Sequence, residues 1–424
     1  MKYNSDKAVV CIVGLGYIGL PLAEAFARSL SVFGFDSDIE KVNQMQAKQS
    51  ESRKSTGKSR LTFTVNPEDI GKADFNIICV PTPINASKEP DLSHIMSAAR
   101  VVGQNMKRGS VVVLESTVFP GTTEGIVKPI LEEKSGMRCG PDFKIGYSPE
   151  RINPGDSEHE IGEITKLVSG MDRETTEKLA QLYGRVTKVF ITKDIKTAEA
   201  AEVIENIQRD INIALINELS LIFARMGLST RDVLDAAVTK WNFQRYTPGL
   251  VGGHCIPVDP YYLVYKAREL DYHPQVILAG RAINDFMPRH VAEMAIKALN
   301  SVGKVIKGSQ VLIMGLTYKE NVPDTRESPV KEIVKELKEF GVDVYGYDPV
   351  LEEGGDEFGV KLLKTWQGAE GIDAVIITVA HDRFRDIKLS ELKKAMNSAP
   401  VLIDVRQIYN HGEAEKEGFY YKTL

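Results

Sequence analysis

Short β-branched runs alternate with helical patterns along the first 150 residues, and again from Ser309 onward; few folds accept that rhythm. In the first stretch AVVCIV, SVFGFD, FNIICV and SVVVLES are separated by helical patterns over Leu20–Leu30, from Ile39 and from Leu92. Strands alternating with helices pair in parallel, because each crossover returns the chain to the same end of the sheet. The second stretch repeats the pattern with QVLIMG, a helix from Glu327, VDVYGYDP, DAVIITVA and PVLIDV. Between them, Asp194 to Met226 reads as one long helix, with Ile204, Ile207, Ile211, Leu215, Leu219, Ile222 and Met226 recurring every three or four residues. Residues 229–301 read as mostly helical, apart from a proline- and glycine-rich segment over Tyr246–Pro260. The expected fold is α/β, with two Rossmann-like doubly wound domains joined by a long central helix and a helical middle domain. The boundaries fall at 1–193, 194–301 and 302–424. Glu51 to Arg60 (ESRKSTGKSR) is almost free of apolar residues and reads as a mobile, solvated loop.

Gly14-Leu15-Gly16-Tyr17-Ile18-Gly19 follows the first strand directly and opens the first helix. Gly14, Gly16 and Gly19 permit the tight turn and let a pyrophosphate approach the backbone amides at the helix start, with Tyr17 and Ile18 inside the same loop. Asp36 closes the next strand, at about the 20-residue spacing of a ribose-binding acid. A carboxylate there accepts hydrogen bonds from both ribose hydroxyls and repels a 2′-phosphate, so the expected cofactor is NAD, not NADP. The second domain has no such loop. Its first strand runs into Gly315 through Asn321, where Lys319 and a helix start near Arg326 offer either a diphosphate cradle or a solvated loop.

At 424 residues the chain is long enough for two or three cores, and its charged fraction of 26% is ordinary for a globular protein. A net charge of -5 gives no global field to hold nucleic acid or anionic lipid, so neither is an expected partner. No run approaches 18 apolar residues and the N-terminus has no cleavable apolar stretch, from which a cytoplasmic protein without membrane contact is expected. Four cysteines without C-x-x-C spacing, and seven scattered histidines, point to no disulfide framework and no metal site.

Cys255 sits in GLVGGHCIPVDP, with Asp259 four residues on. Glycines admit a ligand close to the backbone and prolines stiffen the loop, which suits either a nucleophile or a small residue packed in a rigid turn. A thiolate beside a bound aldehyde forms a thiohemiacetal, which becomes a thioester on loss of hydride and is then cleaved by water.

The glycine loop with Asp36, Val80-Pro81-Thr82-Pro83, Glu115-Ser116-Thr117-Val118, Ser148-Pro149-Glu150-Arg151, Gly252-Gly253-His254-Cys255, and Lys319 through Arg326-Glu327-Ser328 together resemble the nucleotide-sugar 6-dehydrogenases, in family order over essentially the whole chain. GGHCIPVDPYYL and VIENIQRDINIALINE resemble the branch acting on UDP-N-acetylhexosamines. The resemblance implies oxidation of a sugar C6 alcohol to a carboxylate with two NAD. The implied UDP-sugar is UDP-N-acetylglucosamine or UDP-N-acetylgalactosamine, with UDP-N-acetylmannosamine as neighbour. It implies Cys255 as the thioester-forming nucleophile, Asp259 and Asn206 around the reacting oxygen, and Thr117 and Glu150 at the hydrolytic water. Pro81, Thr82 and Thr117 are implied at the nicotinamide end of the cofactor, and Arg326 at its pyrophosphate. For the sugar nucleotide it implies Glu150, Arg151, Asn206, Arg209, Tyr246, Gly249, Gly252, Tyr318 and Lys319, with Arg281 reaching it across a dimer. The central helix is similar to the family's dimer core, so a homodimer or higher homo-oligomer is expected.

One position departs from the pattern. The family carries a lysine four residues before the asparagine, where this chain has Glu202. A carboxylate opposes the negative charge that an ammonium would stabilise on the C6 oxygen. Either another cation substitutes, with Lys193, Lys196 and Arg209 as candidates, or Glu202 is protonated, or the chain binds NAD and UDP-sugar with impaired turnover. His254, next to Cys255, is expected to point away from it, as neighbours in an extended loop do.

Overall fold

A computed structural model describes residues 7–56, 60–151, 162–351 and 356–424. Two compact units emerge, one of Met1–Glu205 with Tyr261–His273, the other of Asn206–Pro260 with Pro274–Leu424. Residues of the expected middle domain are thereby shared between the two.

The first unit is built on strands β1 (Val9–Val13), β2 (Ser31–Phe35), β3 (Leu61–Thr64), β4 (Phe75–Ile78), β5 (Val111–Leu114), β6 (Lys144–Tyr147), β7 (Lys166–Gly170) and β8 (Val189–Ile191). They run in the order β3-β2-β1-β4-β5-β6-β7-β8, parallel except for the antiparallel pair β6 and β7. Helices α1 (Gly19–Ala27), α2 (Ile39–Thr56), α3 (Ser93–Asn105), α4 (Lys128–Ser135) and α5 (Arg173–Tyr183) complete it. A sheet covered on both faces needs apolar side chains at successive strand positions, which explains the unbroken runs VVCIV and VVVL. One face packs Val10 and Ile12 with Leu22 and Phe26 of α1; the other packs Cys11 and Val13 with Ile95 and Val102 of α3.

Helix α6 (Ile195–Met226) starts in the first unit and ends in the second, followed by α7 (Thr230–Ala237), α8 (Asp259–Glu269) and α9 (Gln275–Ser301). The second unit's sheet comprises β9 (Gln310–Met314), β10 (Asp343–Tyr347), β11 (Lys361–Leu362), β12 (Ile372–Ile377), β13 (Met396–Asp404) and β14 (Tyr420–Thr423), with α10 (Val330–Glu339) after β9. It is wholly parallel in the order β11-β10-β9-β12-β13-β14. Met287, Val291, Ala295 and Leu299 of α9 share one core with Val311, Ile313, Ala374 and Ile376 of the sheet.

The first six strands of each sheet follow the same order, and the turn after the first strand is the same in both. Gly14 and Gly315 adopt φ of 97° and 100°, and their amides donate to Phe35 O and Tyr347 O, each at 2.8 Å. The next amide, Leu15 N or Leu316 N, donates to the carboxylate closing the second strand, Asp36 at 2.9 Å or Asp348 at 2.7 Å.

Two features differ from expectation. Residues 51–56 continue α2 as helix, and 57–59 lie outside the described residues. A stretch without apolar residues can still be helical, because Glu, Arg and Lys are good helix formers. The apolar stripe of α6 also does not all turn inward: Ile204, Leu215 and Met226 are more than half exposed, whereas Val203, Ile207 and Ala214 are buried. The short strands β3 and β6, four residues each, carry too little periodicity to be read from sequence. Leu299 is fully buried against the second sheet, so Leu299→Ala is expected to cost about 2–5 kcal/mol, read as a lowered urea midpoint.

Candidate active site

The glycine turn opens toward a ligand. A Cβ on Gly14 would lie 2.5 Å from Cys79 O and one on Gly19 only 1.9 Å from Gly14 O, whereas one on Gly16 meets nothing within 4 Å. The first and third glycines are thus fixed by packing, and the middle one leaves an open approach to the start of α1. Burial pushes the Asp36 carboxyl up, but hydrogen bonds from Lys41 (2.6 Å), Leu15 and Asp38 outweigh it and hold it below its ordinary value. An open turn followed by an ionised acid fits a dinucleotide with a free ribose. Tyr17 is exposed beside the turn, and Pro81 and Thr82 follow β4 at the carboxyl edge of the same sheet.

Beyond β5 and β6 the same edge is lined with buried charge. Thr117 Oγ1 donates to Glu202 Oε1 at 2.6 Å and Tyr147 OH to Glu202 Oε2 at 2.9 Å, so each oxygen of the carboxylate accepts a hydroxyl. Of the cations expected to replace the family lysine, Lys193, Lys196 and Arg209 all lie exposed, and Lys196 only approaches Glu124 at 4.0 Å. The buried ammonium on this edge is Lys166 of β7, which sequence reasoning missed. It donates to Glu115 Oε2 at 2.8 Å and to Pro149 O at 2.7 Å, and stands 3.7 Å from Glu150 Oε2. Burial lowers the proton affinity of Lys166, but Glu115 and Glu150 outweigh it and keep the ammonium charged. Burial raises Glu115 to about 7 against the opposing pull of Lys166. Arg151 is engaged with both oxygens of Glu205 and with Thr165 O.

The second unit gathers another group. Cys255 O accepts from Val258 N and Asp259 N, so the cysteine begins the turn that winds into α8. Contrary to expectation, His254 Nδ1 lies 3.1 Å from Cys255 Sγ. The segment is not extended at this point: Gly253 before it has φ 84°, and a turn follows Cys255. Burial, then Arg326, lowers the His254 pKa and keeps the imidazole neutral. Asn206 Nδ2 donates to Asp259 Oδ2 at 2.6 Å, yet burial outweighs that bond and raises Asp259 to about 8. Tyr318 and Pro329 pack so close that a Cβ on Gly252 would lie 2.7 Å from Pro329 Cδ and one on Gly253 2.7 Å from the Tyr318 ring.

Other expected residues are held as follows. Tyr246 OH pairs with Gln208, and Gly249 bonds through both N and O to Asn217. Arg281 is buried and ion-paired to Asp210 at 2.6 Å and to Asp285, so within this chain it is a core cation and not a surface donor. Arg326 grips Asp324 with two nitrogens, and Lys319 is half-buried in the loop after β9. A cavity of about 240 Å³ in the second unit is lined by Arg231, Arg245, Arg385 and Arg406, beside Thr247 and Pro248. These arginines come from separate segments, and no local spacing marks them.

Three family models match in succession: the NAD binding domain of the UDP-glucose/GDP-mannose dehydrogenase family over residues 8–187, its central domain over 196–286 and its UDP binding domain over 312–411. The chain belongs to that family. It is 43% identical over 415 residues to a UDP-N-acetyl-D-glucosamine 6-dehydrogenase of Pseudomonas aeruginosa, spanning 96% of this chain and 98% of the relative. Protein CapL of Staphylococcus aureus is also 43% identical, over 95% of this chain and 97% of its own. Among solved structures, a UDP-D-ManNAc dehydrogenase from Pyrococcus horikoshii matches with a TM-score of 0.88 and 31% identity, covering 98% of this chain and 99% of that one. As in this family, the first unit carries the NAD-binding domain. No helix among the described residues is long and apolar enough to cross a membrane.

Two measurements check the buried charges of this dehydrogenase. Lys166→Met leaves Glu115 buried without its ammonium and is expected to lower stability by about 3–5 kcal/mol in chemical denaturation. Asp259 holds its proton in the folded state up to about 8 but only to about 4 when unfolded, so its contribution falls as pH rises across that window. Asp259→Asn is therefore expected to gain thermal stability relative to wild type from pH 5 to pH 8.

Proposed function

We propose that this protein is an NAD-dependent UDP-N-acetylhexosamine 6-dehydrogenase, taking the C6 alcohol of UDP-N-acetylglucosamine or UDP-N-acetylgalactosamine to the uronate through a cysteine adduct. The observation that carries this reading is Cys255 held at a helix start with the neutral imidazole of His254 at 3.1 Å. The substrate class is supported by two UDP-N-acetyl-D-glucosamine 6-dehydrogenases at 42–43% identity, against 32–35% for UDP-N-acetyl-D-mannosamine dehydrogenases.

When bound, NAD would supply the hydride acceptor for both oxidations, and the proton of the C6 hydroxyl leaves to solvent in the first. His254 accepts the Cys255 thiol proton as sulfur adds to the aldehyde carbon, forming a C–S bond and a thiohemiacetal. Asp259, protonated at neutral pH, and Asn206 donate hydrogen bonds to the C6 oxygen, where negative charge develops. Water then cleaves the thioester, returning the thiol and releasing the carboxylate; the family resemblance is what assigns Thr117 and Glu150 to that water. Lys166 holds Glu150 in place, and Arg151 and Glu205 stiffen the segment beside it. The four-arginine cavity binds the UDP diphosphate, since guanidinium groups match phosphate oxygens in pairs. Tyr318, Lys319, Tyr246, Gly249 and Gly252 belong to the same sugar-nucleotide site.

The functional form is a homodimer. Leu215, Ile222 and Met226 expose one apolar stripe of α6, and a second copy of the chain is the partner that covers it. A cytoplasmic setting supplies NAD and UDP-sugars together.

The test is NADH formed per sugar consumed, for UDP-N-acetylglucosamine, UDP-N-acetylgalactosamine, UDP-N-acetylmannosamine and UDP-glucose. Two NADH per N-acetylhexosamine are expected, with turnover lost in Cys255→Ala. One NADH per sugar, or full turnover in Cys255→Ala, would overturn the proposal.

A further inference from the structure

Asn217 is fully buried, on the part of α6 that belongs to the second unit. Its Oδ1 accepts from Gly249 N at 2.8 Å, and its Nδ2 donates to Gly249 O at 3.0 Å and to Asn284 Oδ1 at 2.9 Å. Asn284 of α9, also buried, donates in turn to Asp210 O at 2.9 Å and to Asp210 Oδ1 at 2.8 Å, and Arg281 donates to the same carboxylate oxygen. Every donor in this row meets an acceptor, so the Asn217 amide has one orientation. Turned over, it would set its NH2 against Gly249 N and its oxygen against Gly249 O and Asn284 Oδ1.

Gly249 is buried outside any helix or strand, where a peptide group needs partners that regular structure does not provide. Asn217 supplies both. A Cβ at 249 would lie 2.8 Å from Arg406 Nη1, so the guanidinium stands where a side chain would begin. The pinned peptide divides its segment in two. Arg245, Thr247 and Pro248, just before it, line the cavity that Arg406 shares. Gly252 and Gly253, just after it, pack against Pro329 and Tyr318 and lead to Cys255. All of these residues belong to the second unit.

We infer that Asn217 is a positioning residue for the cysteine segment: by clamping the Gly249 peptide through both of its polar groups, it fixes the register between the arginine-lined cavity and the Cys255 thiol. A diphosphate seated in the cavity then carries its sugar to a set reach from the sulfur. Slack at Gly249 loosens that alignment and leaves binding in the cavity intact. The inference rests on the proposed roles of the cavity and of Cys255, and not on which sugar is oxidised.

The experiment compares two alkylations of Cys255, each followed by mass spectrometry of its peptide, in wild type, Asn217→Leu and Asn284→Leu. One reagent is free iodoacetamide; the other is UDP bearing a bromoacetamide group on a short arm from its terminal phosphate. In both, the sulfur displaces halide, a C–S bond forms and the thiol proton leaves to buffer. The tethered rate divided by the free rate reads the alignment of cavity and thiol, because thiol reactivity and folded fraction enter both rates. Asn217→Leu is expected to lower this ratio about tenfold at saturating reagent, with UDP affinity by calorimetry within about threefold of wild type. Asn284→Leu removes a comparable buried amide but leaves both bonds to Gly249, and is expected to keep the ratio within about twofold. An unchanged ratio in Asn217→Leu, or an equal fall in both variants, would overturn the inference. If Asn217→Leu does not fold, Asn217→Gln, whose extra methylene displaces the same clamp, takes its place with the same outcomes. No acceleration by the tether in wild type would remove the proposed roles of cavity and cysteine, and this inference with them. Failure to oxidise any UDP-sugar, with the ratio behaving as stated, would remove the proposed reaction and leave the inference standing.

Discussion

A backbone amide pinned to the carboxylate at the end of the neighbouring strand organises both halves of this chain. Leu15 N on Asp36 and Leu316 N on Asp348 hold a left-handed glycine in place at the point where each sheet reverses its strand order. The turn must be tight, because the helix that follows has to pack back on the same sheet. The two copies then diverge. Asp36 keeps partial exposure and is salt-bridged to the more exposed Lys41. Asp348 is buried and bonded to His381 and Thr317. The same turn thus stays partly open in the first sheet and is locked internally in the second.

A largely buried polar face runs along α6. Glu199 holds Gly121 N and Thr123, Glu202 holds Thr117 and Tyr147, Asn206 holds Asp259, Asp210 holds Arg281, and Asn217 holds Gly249. These residues recur at helical spacing along one side, and each fixes a loop or element of its own unit. Burying so many polar side chains costs free energy unless every one is bonded, so the helix and the loops are ordered together.

Locally encoded features were legible in the sequence. The glycine turn, Asp36, the cysteine segment and the long helix each occupy one continuous stretch, and each appears where the periodicity put it. The apolar stripe of α6 was legible as well, but its outward turn was not, since the helix carries apolar residues on two sides. Lys166 went unread because β7 reaches Glu115 and Glu150 only through strand pairing, more than a dozen residues from either. The meeting of His254 with Cys255 went unread because the segment was taken as extended, whereas it bends and turns there.

What the sequence by itself determined is the pair of doubly wound sheets, the cofactor loop with its acid, and the family, because period, glycine placement and motif order are properties of neighbouring residues. Tertiary structure alone decided which charges share a low-dielectric site. Glu202 becomes a partner of Thr117 and Tyr147, and four scattered arginines become one cavity, only when strands and helices from distant segments converge. The physical reason is that burial sets the strength of a charge, and burial is a property of the packed fold and not of the chain.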